Sequence, residues 1–259
     1  MSGPILSLFP GVGLFERPFA HAGWTIFRGP DHLWGQDVDR YTVPPGILWG
    51  ILAGPPCQDF SAARRAKPSG HGAAMLLECA RIIREAQPTW WIIENVPRVP
   101  DVKIDGYKWQ RLPIDAAWYG NVSRPRVIQY GYRSGEPLYI PARKRHPHPH
   151  ATATANDSRT FRELCRLQGL PEDYELPALT TQAAKMAVGN GVPHCIGTAL
   201  VLALIDAHRL PNNRPDPAAG APVPRRYCPC PCGVEVSGNR TYATTACRKR
   251  AQRVREAQP

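Results

Sequence analysis

Acidic side chains are scarce in this 259-residue chain: 21 Asp+Glu stand against 32 Lys+Arg, for a formal charge of +11. That balance favours a polyanionic partner. Membrane signals are lacking too. No run of apolar residues reads as a bilayer span, and the N-terminus has neither the basic nor the apolar region of a signal peptide. The expected setting is the cytoplasm, with no membrane partner. Of the eight cysteines, four are scattered through the first 200 residues and four lie near the C-terminus. That is no disulfide framework, and it fits a reducing compartment. The length allows one full core with a small appendage.

The chain is organised around Gly54-Pro55-Pro56-Cys57-Gln58-Asp59-Phe60-Ser61. These residues follow the apolar run Ile47-Leu48-Trp49-Gly50-Ile51-Leu52-Ala53, one buried strand stopped by glycine and two prolines. A cysteine held in a stiff loop at a strand's carboxyl end stands where open α/β sheets place their ligands. Taken alone it reads first as small buried filler in a Pro-rich turn, and its position also makes it a candidate nucleophile.

Ile5 to Phe9 reads as a first strand, followed by a turn through Gly11 and Gly13 into a helix of about Leu14 to Ala22, bent by Pro18. Thr25 to Arg28 gives a second strand, and Asp31 just beyond it reads as a turn former. Trp34 covers a ligand or fills core. Residues 62 to 72, with Arg64, Arg65 and Lys67, are small, basic and flexible by composition. Ala73 to Ala86 has a helical apolar stripe of Leu76, Ala80 and Ile83. Trp90-Trp91-Ile92-Ile93 makes another buried strand that ends on Glu94-Asn95, and a carboxylate there must find a partner or shift its pKa upward. Strands follow near Gln110 to Ile114 and at Val127 to Tyr132, then a short helix at Thr160 to Leu167 and a long apolar one at Ile196 to His208.

Residues 211–224, rich in Pro, Asn and Ala, read as a linker between a domain at 1–210 and a second unit at 225–259. That unit holds eight basic side chains against Glu235 and Glu256. Its cysteines, Cys228, Cys230, Cys232 and Cys247, can supply a tetrahedral thiolate site, and so small a segment needs such a staple. A structural zinc is the expectation, with a disordered basic tail as the alternative. In either case Arg248 to Arg255, including Arg248 and Arg250, should meet phosphate.

Six blocks in order across residues 5 to about 208 carry a family resemblance. They are Leu8-Phe9-Pro10-Gly11-Val12-Gly13-Leu14, Gly54-Pro55-Pro56-Cys57-Gln58, Ile93-Glu94-Asn95-Val96, Arg124-Pro125-Arg126-Val127, the stretch from Thr160 to Pro171, and Gly189-Asn190-Gly191-Val192-Pro193. Together they resemble the DNA (cytosine-5) methyltransferases, in a compact prokaryotic or phage form. The resemblance implies an α/β, Rossmann-like class I methyltransferase sheet that uses S-adenosyl-L-methionine. It places Phe9, Gly11, Gly13, Asp31, Asp37, Pro55 and Asn190 at the cofactor. Asp31 would accept the ribose hydroxyls and Asp37 the adenine amine. It makes Cys57 the nucleophile, Glu94 the contact to N3 of cytosine and Arg126 the cation facing the base, with Arg124 supporting it. Asn95 would fix the adjoining loop. Two departures stand out: Pro10 replaces a small residue, and Val122-Ser123 replaces a segment that usually carries glutamine.

The family's target-recognition insert is reduced here to residues 133–158, too few for an independent core. Arg143, Lys144 and Arg145 within it are expected, with Arg64, Arg65 and Arg124, to contact DNA phosphates. The expected protein is a monomer that acts on double-stranded DNA, with the target base flipped out of the helix. Two other readings remain: an RNA cytosine C5-methyltransferase, and a catalytically degenerate relative that binds DNA.

Overall fold

The computed structural model describes residues 3–62, 67–146, 150–151, 158–209, 226–227 and 235–236. The backbone divides into two units, Met1–Asn212 and Asn213–Pro259. In the first, β1 (Ile5–Leu8), α1 (Arg17–His21) and β2 (Ile26–Arg28) are followed by β3 (Gly50–Ala53), α2 (His71–Ala86) and β4 (Trp90–Asn95). Then come β5 (Lys108–Asp115), β6 (Val122–Ser123), β7 (Pro125–Tyr132) and β8 (His150–Ala151), and finally α3 (Phe161–Gln168), α4 (Thr181–Asn190) and α5 (His194–Ala207). In the second unit β9 (Arg226–Tyr227) pairs antiparallel with β10 (Glu235–Val236).

Six strands form the central sheet in the order β2-β1-β3-β4-β7-β5. β2, β1, β3 and β4 are mutually parallel, whereas β7 runs antiparallel between β4 and β5. The parallel strands therefore all end on one edge of the sheet, which is where the candidate site lies.

Their apolar runs are continuous because both faces are covered. Along β4, Trp90 and Ile92 enter a cluster with Phe19, Ile196, Leu200 and Leu204, while Trp91 and Ile93 enter one with Ile51, Ile82 and Ile83 on the α2 face. Both indoles are fully buried. Neighbouring glycines make room for them: a Cβ on Gly50 would lie 2.2 Å from Trp90, and one on Gly131 would lie 2.2 Å from Trp91. Register brings each glycine opposite its own tryptophan. Emptying either indole site costs about 3–5 kcal/mol.

α1 is shorter than the sequence suggests, because Pro18 sits in its first turn, where a missing N–H does no harm, instead of bending a longer helix. α3 begins with a reciprocal cap between Thr160 and Glu163 and stops at Gly169, whose φ of 74° is left-handed. α4 is absent from the sequence reading altogether. The expectation about apolar segments also needs correcting. Thr181–Ala207 is long and apolar enough to cross a membrane by length and composition, yet most of it is buried inside the fold. Gly191 and Pro193 divide it into two helices.

At the start of α5 His194 faces His21 of α1, ring centroids 5.7 Å apart, and its Nδ1 lies 3.3 Å from the Thr198 hydroxyl. Burial, with the nearby His21 and Arg17 charges, pushes His194 down to about 4. An unfolded histidine titrates near 6.5, so this contribution to stability is complete above about pH 6.5 and lost as pH falls to about 4. After allowance for the ring's remaining solvent contact, about 2 kcal/mol is at stake. Urea midpoints should fall between pH 7 and 4.5, and His194→Gln should flatten that slope.

Candidate active site

Cys57 lies four residues past the end of β3, half-buried, as the residue that opens a short 3-10 turn at Gln58–Phe60. Its loop is fixed from both sides. Asn95, at the end of the neighbouring β4, donates from Nδ2 to the Pro55 carbonyl at 3.0 Å and accepts the Val96 amide at 2.8 Å. Asn95 thus holds the thiol loop, as the sequence suggested. On the far side Asp59 accepts the Ser69 amide at 2.9 Å and the Gly72 amide at 2.8 Å. That second contact ties the loop to the first turn of α2. The Asp59 clasp escapes a sequence reading because an Asp near serine and glycine looks like any turn residue.

Adjacent strands deliver the charged groups. Glu94 leaves β4 opposite Ile128 of β7, and Arg126 sits near the start of β7. Their side chains meet, Arg126 Nε standing 2.8 Å from Glu94 Oε1, at 14% and 9% exposure. The contact is an ion pair without an aligned hydrogen bond, for Glu94 Oε1 has no partner in hydrogen-bond geometry. A buried acceptor of this kind retains a lone pair for a further donor. Both groups act on Cys57. Burial pushes its thiol up, the Arg126 charge pulls it down, Glu94 pushes it up and Arg124 pulls it down.

Arg124 departs from expectation. It is 5% exposed, so it does not face phosphate. Its Nη1 donates to Gly189 O at 2.8 Å and its Nη2 to Asn190 O at 2.9 Å, capping the carbonyl end of α4. Burial and the Arg126 charge push it down to about 9, which leaves it cationic at neutral pH. No local pattern signals this role, because the carbonyls it caps lie 65 and 66 residues along the chain.

The glycine turn forms the other half of the site. Gly11 and Gly13 have φ of 54° and 84°, and Phe9 adopts a left-handed φ of 55°, which is strained for a residue with a side chain. The Pro10 carbonyl accepts the Gly13 amide at 2.8 Å, so the unusual proline closes the turn through its backbone. Asp31 accepts the Gly11 amide at 2.7 Å and the Leu33 amide at 2.7 Å. Trp34 is 46% exposed and donates from its indole to Gly11 O at 2.8 Å, which places it beside the turn and outside the core. Tyr174, from the segment between α3 and α4, donates to Val12 O at 3.3 Å. Asn190 is the last residue of α4, and the following Gly191 lets Leu14 pack against the helix end. A Cβ on Gly11 would point into open space, so nothing in the fold fills that side of the turn. Asp37 is exposed, its carboxylate 3.7 Å from His32.

The remaining charged candidates divide. Arg143 stacks over Tyr119 at 5.2 Å, and Arg145 pairs with Asp115 at 3.2 Å and with the Ser123 hydroxyl. Lys144 between them is exposed. The two arginines therefore pin residues 143–145 to the end of β5 as well as facing solvent. Arg64, Arg65, Arg248, Arg250 and the four C-terminal cysteines lie outside the described residues. Among the described residues no group of three or more His, Cys, Asp or Glu is placed to hold a metal.

A mostly parallel sheet with a glycine turn after β1, an acid after β2 and a thiol loop after β3 defines a Rossmann-like methyltransferase fold. The solved structure of the methyltransferase EhMeth from Entamoeba histolytica superimposes with a TM-score of 0.60, covering 80% of this chain and 98% of that one at 10% identity. The profile of the C-5 cytosine-specific DNA methylase family matches residues 48–158. Two Type II methyltransferases of Herpetosiphon aurantiacus are similar in sequence. M.HgiDI is 35% identical over 166 residues, 50% of this chain and 52% of that protein, and M.HgiGI is 43% identical over 124 residues, 38% of this chain and 94% of that protein. The chain belongs to the C-5 cytosine-specific DNA methylase family. It spans about half the length of M.HgiDI.

Proposed function

We propose that this chain transfers a methyl group from S-adenosyl-L-methionine to carbon 5 of cytosine in double-stranded DNA. The observation that carries the reading is the convergence of Cys57, Glu94 and Arg126 at one edge of the sheet, with Glu94 Oε1 lacking an aligned donor. Carbon 5 of cytosine is a poor nucleophile until a sulfur adds to carbon 6. Cys57 makes that bond, giving its proton to solvent as the thiolate forms. Glu94 holds a proton at N3, so that the electron pair displaced from the ring double bond is stabilised, and Arg126 keeps Glu94 in place and faces the base. Bound cofactor supplies the methyl group as an electrophile on a positively charged sulfur. Carbon 5 takes that methyl, and when its proton then passes to solvent the Cys57 bond to carbon 6 breaks, the double bond returns, N3 gives its proton back to Glu94 and Cys57 leaves as the thiolate. The target base is reached by flipping it out of the duplex.

Gly11 and Gly13 would hold the cofactor at its turn, with Phe9 against the adenine, Trp34 covering the cofactor, Asp31 toward the ribose, Asp37 at the adenine amine and Pro55 and Asn190 closing the site. Lys144 and the basic residues at 64, 65, 143, 145, 248 and 250 are assigned to DNA phosphate. Cys228, Cys230, Cys232 and Cys247 are assigned to a structural zinc in the unit 225–259, a full tetrahedral thiolate set that metal analysis of the purified chain tests. A cytoplasmic monomer completes the reading.

Genomic DNA from a host expressing the chain is expected to resist bisulfite conversion at cytosines within one short sequence context. Labelled methyl transfer to duplex DNA should exceed transfer to tRNA. The opposite preference would replace DNA by RNA as substrate, and no transfer to either would leave a binding protein.

A further inference from the structure

Beneath the glycine turn lies a charged pair that the chemistry above does not use. Glu16 immediately precedes α1, directly after Leu14-Phe15, with a side chain only 3% exposed. It accepts the Ser7 hydroxyl at 3.3 Å on Oε2 and pairs through Oε1 with Arg28 Nε at 2.9 Å. Arg28 ends β2 with its side chain 60% exposed, so one end of the guanidinium is anchored in the fold while the rest reaches the surface. Gly13 lies directly against it. A Cβ at Gly13 would be 2.2 Å from Arg28 Nη2 and 3.1 Å from Glu16 Oε1, so the guanidinium occupies the space that a side chain at position 13 would fill. A second cation, Arg17, lies over the Tyr174 ring at 5.7 Å, and Tyr174 itself donates to Val12 O in the same turn.

An arginine fixed through Nε presents Nη groups in the plane that suits a carboxylate. Burial pushes the Glu16 carboxyl up, against the pull of its backbone hydrogen bond and of Arg28, whose exposed end carries its charge at the surface. Arg17 adds to that field. The glycine turn is where the proposed cofactor places its amino-acid end, which carries an α-carboxylate. We propose that Arg28, held under Gly13 by Glu16, binds the α-carboxylate of the bound adenosyl amino acid. The assignment rests on the cofactor reading given under Proposed function and goes beyond the residues named there.

Two ligands separate the outcomes. S-adenosylhomocysteine carries the carboxylate, and 5′-methylthioadenosine is the same adenosine thioether without the amino acid. In isothermal titrations of the full chain, Arg28→Gln should weaken S-adenosylhomocysteine roughly 10- to 100-fold and leave 5′-methylthioadenosine unchanged. Arg28→Lys should recover part of the loss, since it keeps the charge without the fork. Glu16→Gln, which loosens the anchor, should fall between wild type and Arg28→Gln. Equal weakening of both ligands by Arg28→Gln would make the residue part of the fold and overturn the proposal, as would unchanged binding of S-adenosylhomocysteine. Wild type binding neither ligand would overturn the cofactor reading along with this one, whereas wild type binding both and Arg28→Gln losing neither overturns this one alone.

Discussion

Cys57→Ser is expected to lower methyl transfer to duplex DNA by at least about 10³-fold, on the order of 4 kcal/mol of barrier. The substitution changes one atom, and the loop around it is held by Asn95 through the Pro55 carbonyl and by Asp59 through the Ser69 and Gly72 amides. Melting temperature and S-adenosylhomocysteine affinity should therefore stay near wild type. The loss comes from nucleophilicity, because an alcohol is far less acidic and less polarisable than a thiol. The wild-type thiol is already pushed up by burial, with Arg126 and Arg124 pulling the other way. The transfer rate should accordingly rise with pH from neutral into the alkaline range. A duplex with 5-fluorocytosine at the target provides a second readout, since the fluorine cannot leave as the proton does and the Cys57 bond persists. Intact mass should show a covalent complex for wild type and none for Cys57→Ser. Retention of transfer within tenfold in the variant would place the nucleophile elsewhere.

Arg126→Met is expected to damage both folding and chemistry. The guanidinium stands 2.8 Å from Glu94 in a nearly dry setting, so its removal strands a buried carboxylate and costs about 3–5 kcal/mol. It also removes the strongest downward pull on the Cys57 thiol, so alkylation of Cys57 by iodoacetamide should shift to higher pH. Methyl transfer should fall about 10²- to 10³-fold as the contact facing the base is lost. The double variant Arg126→Met with Glu94→Met distinguishes the two effects. An apolar pair of similar volume replaces a buried ion pair at little net loss, so the urea midpoint should return toward wild type while transfer stays lost. A double variant as unstable as Arg126→Met alone would show that the charge left on Glu94 is not the source of the instability.

The features legible in the sequence are those set by local pattern. Trp90 to Ile93 reads as a strand buried on both faces because all four residues are large and apolar, and the structure buries all four. The thiol loop is equally visible, since two prolines after an apolar strand leave the chain few conformations. α4 is hidden because Thr181–Asn190 is built from small and mixed residues with a weak apolar stripe, and its start depends on the Thr180 hydroxyl accepting the Ala183 amide. Arg124, Arg143 and Arg145 all read as surface cations because arginine beside proline or a basic residue is normally solvated, and of the three only Arg124 is buried. Their carbonyl, ring and carboxylate partners come from distant elements that no local pattern announces. Glu16 is hidden for the complementary reason, since a single acid beside Arg17 looks like an ordinary helix residue until Ser7 and Arg28 are brought beside it.

The two indoles at the centre of the sheet constrain how this chain can vary. Trp90 has the space that a side chain at 50 would occupy, and Trp91 the space of one at 131. Neither member of a pair can enlarge while its neighbour keeps an indole, and neither indole can shrink without opening a void. Related chains should therefore exchange these residues jointly, a larger group at position 50 or 131 appearing with a smaller ring opposite. The opening residues of β3 and β4, at the other end of those strands from the candidate site, would then drift in volume-matched steps that leave the strand ends leading to Cys57 and Glu94 undisturbed.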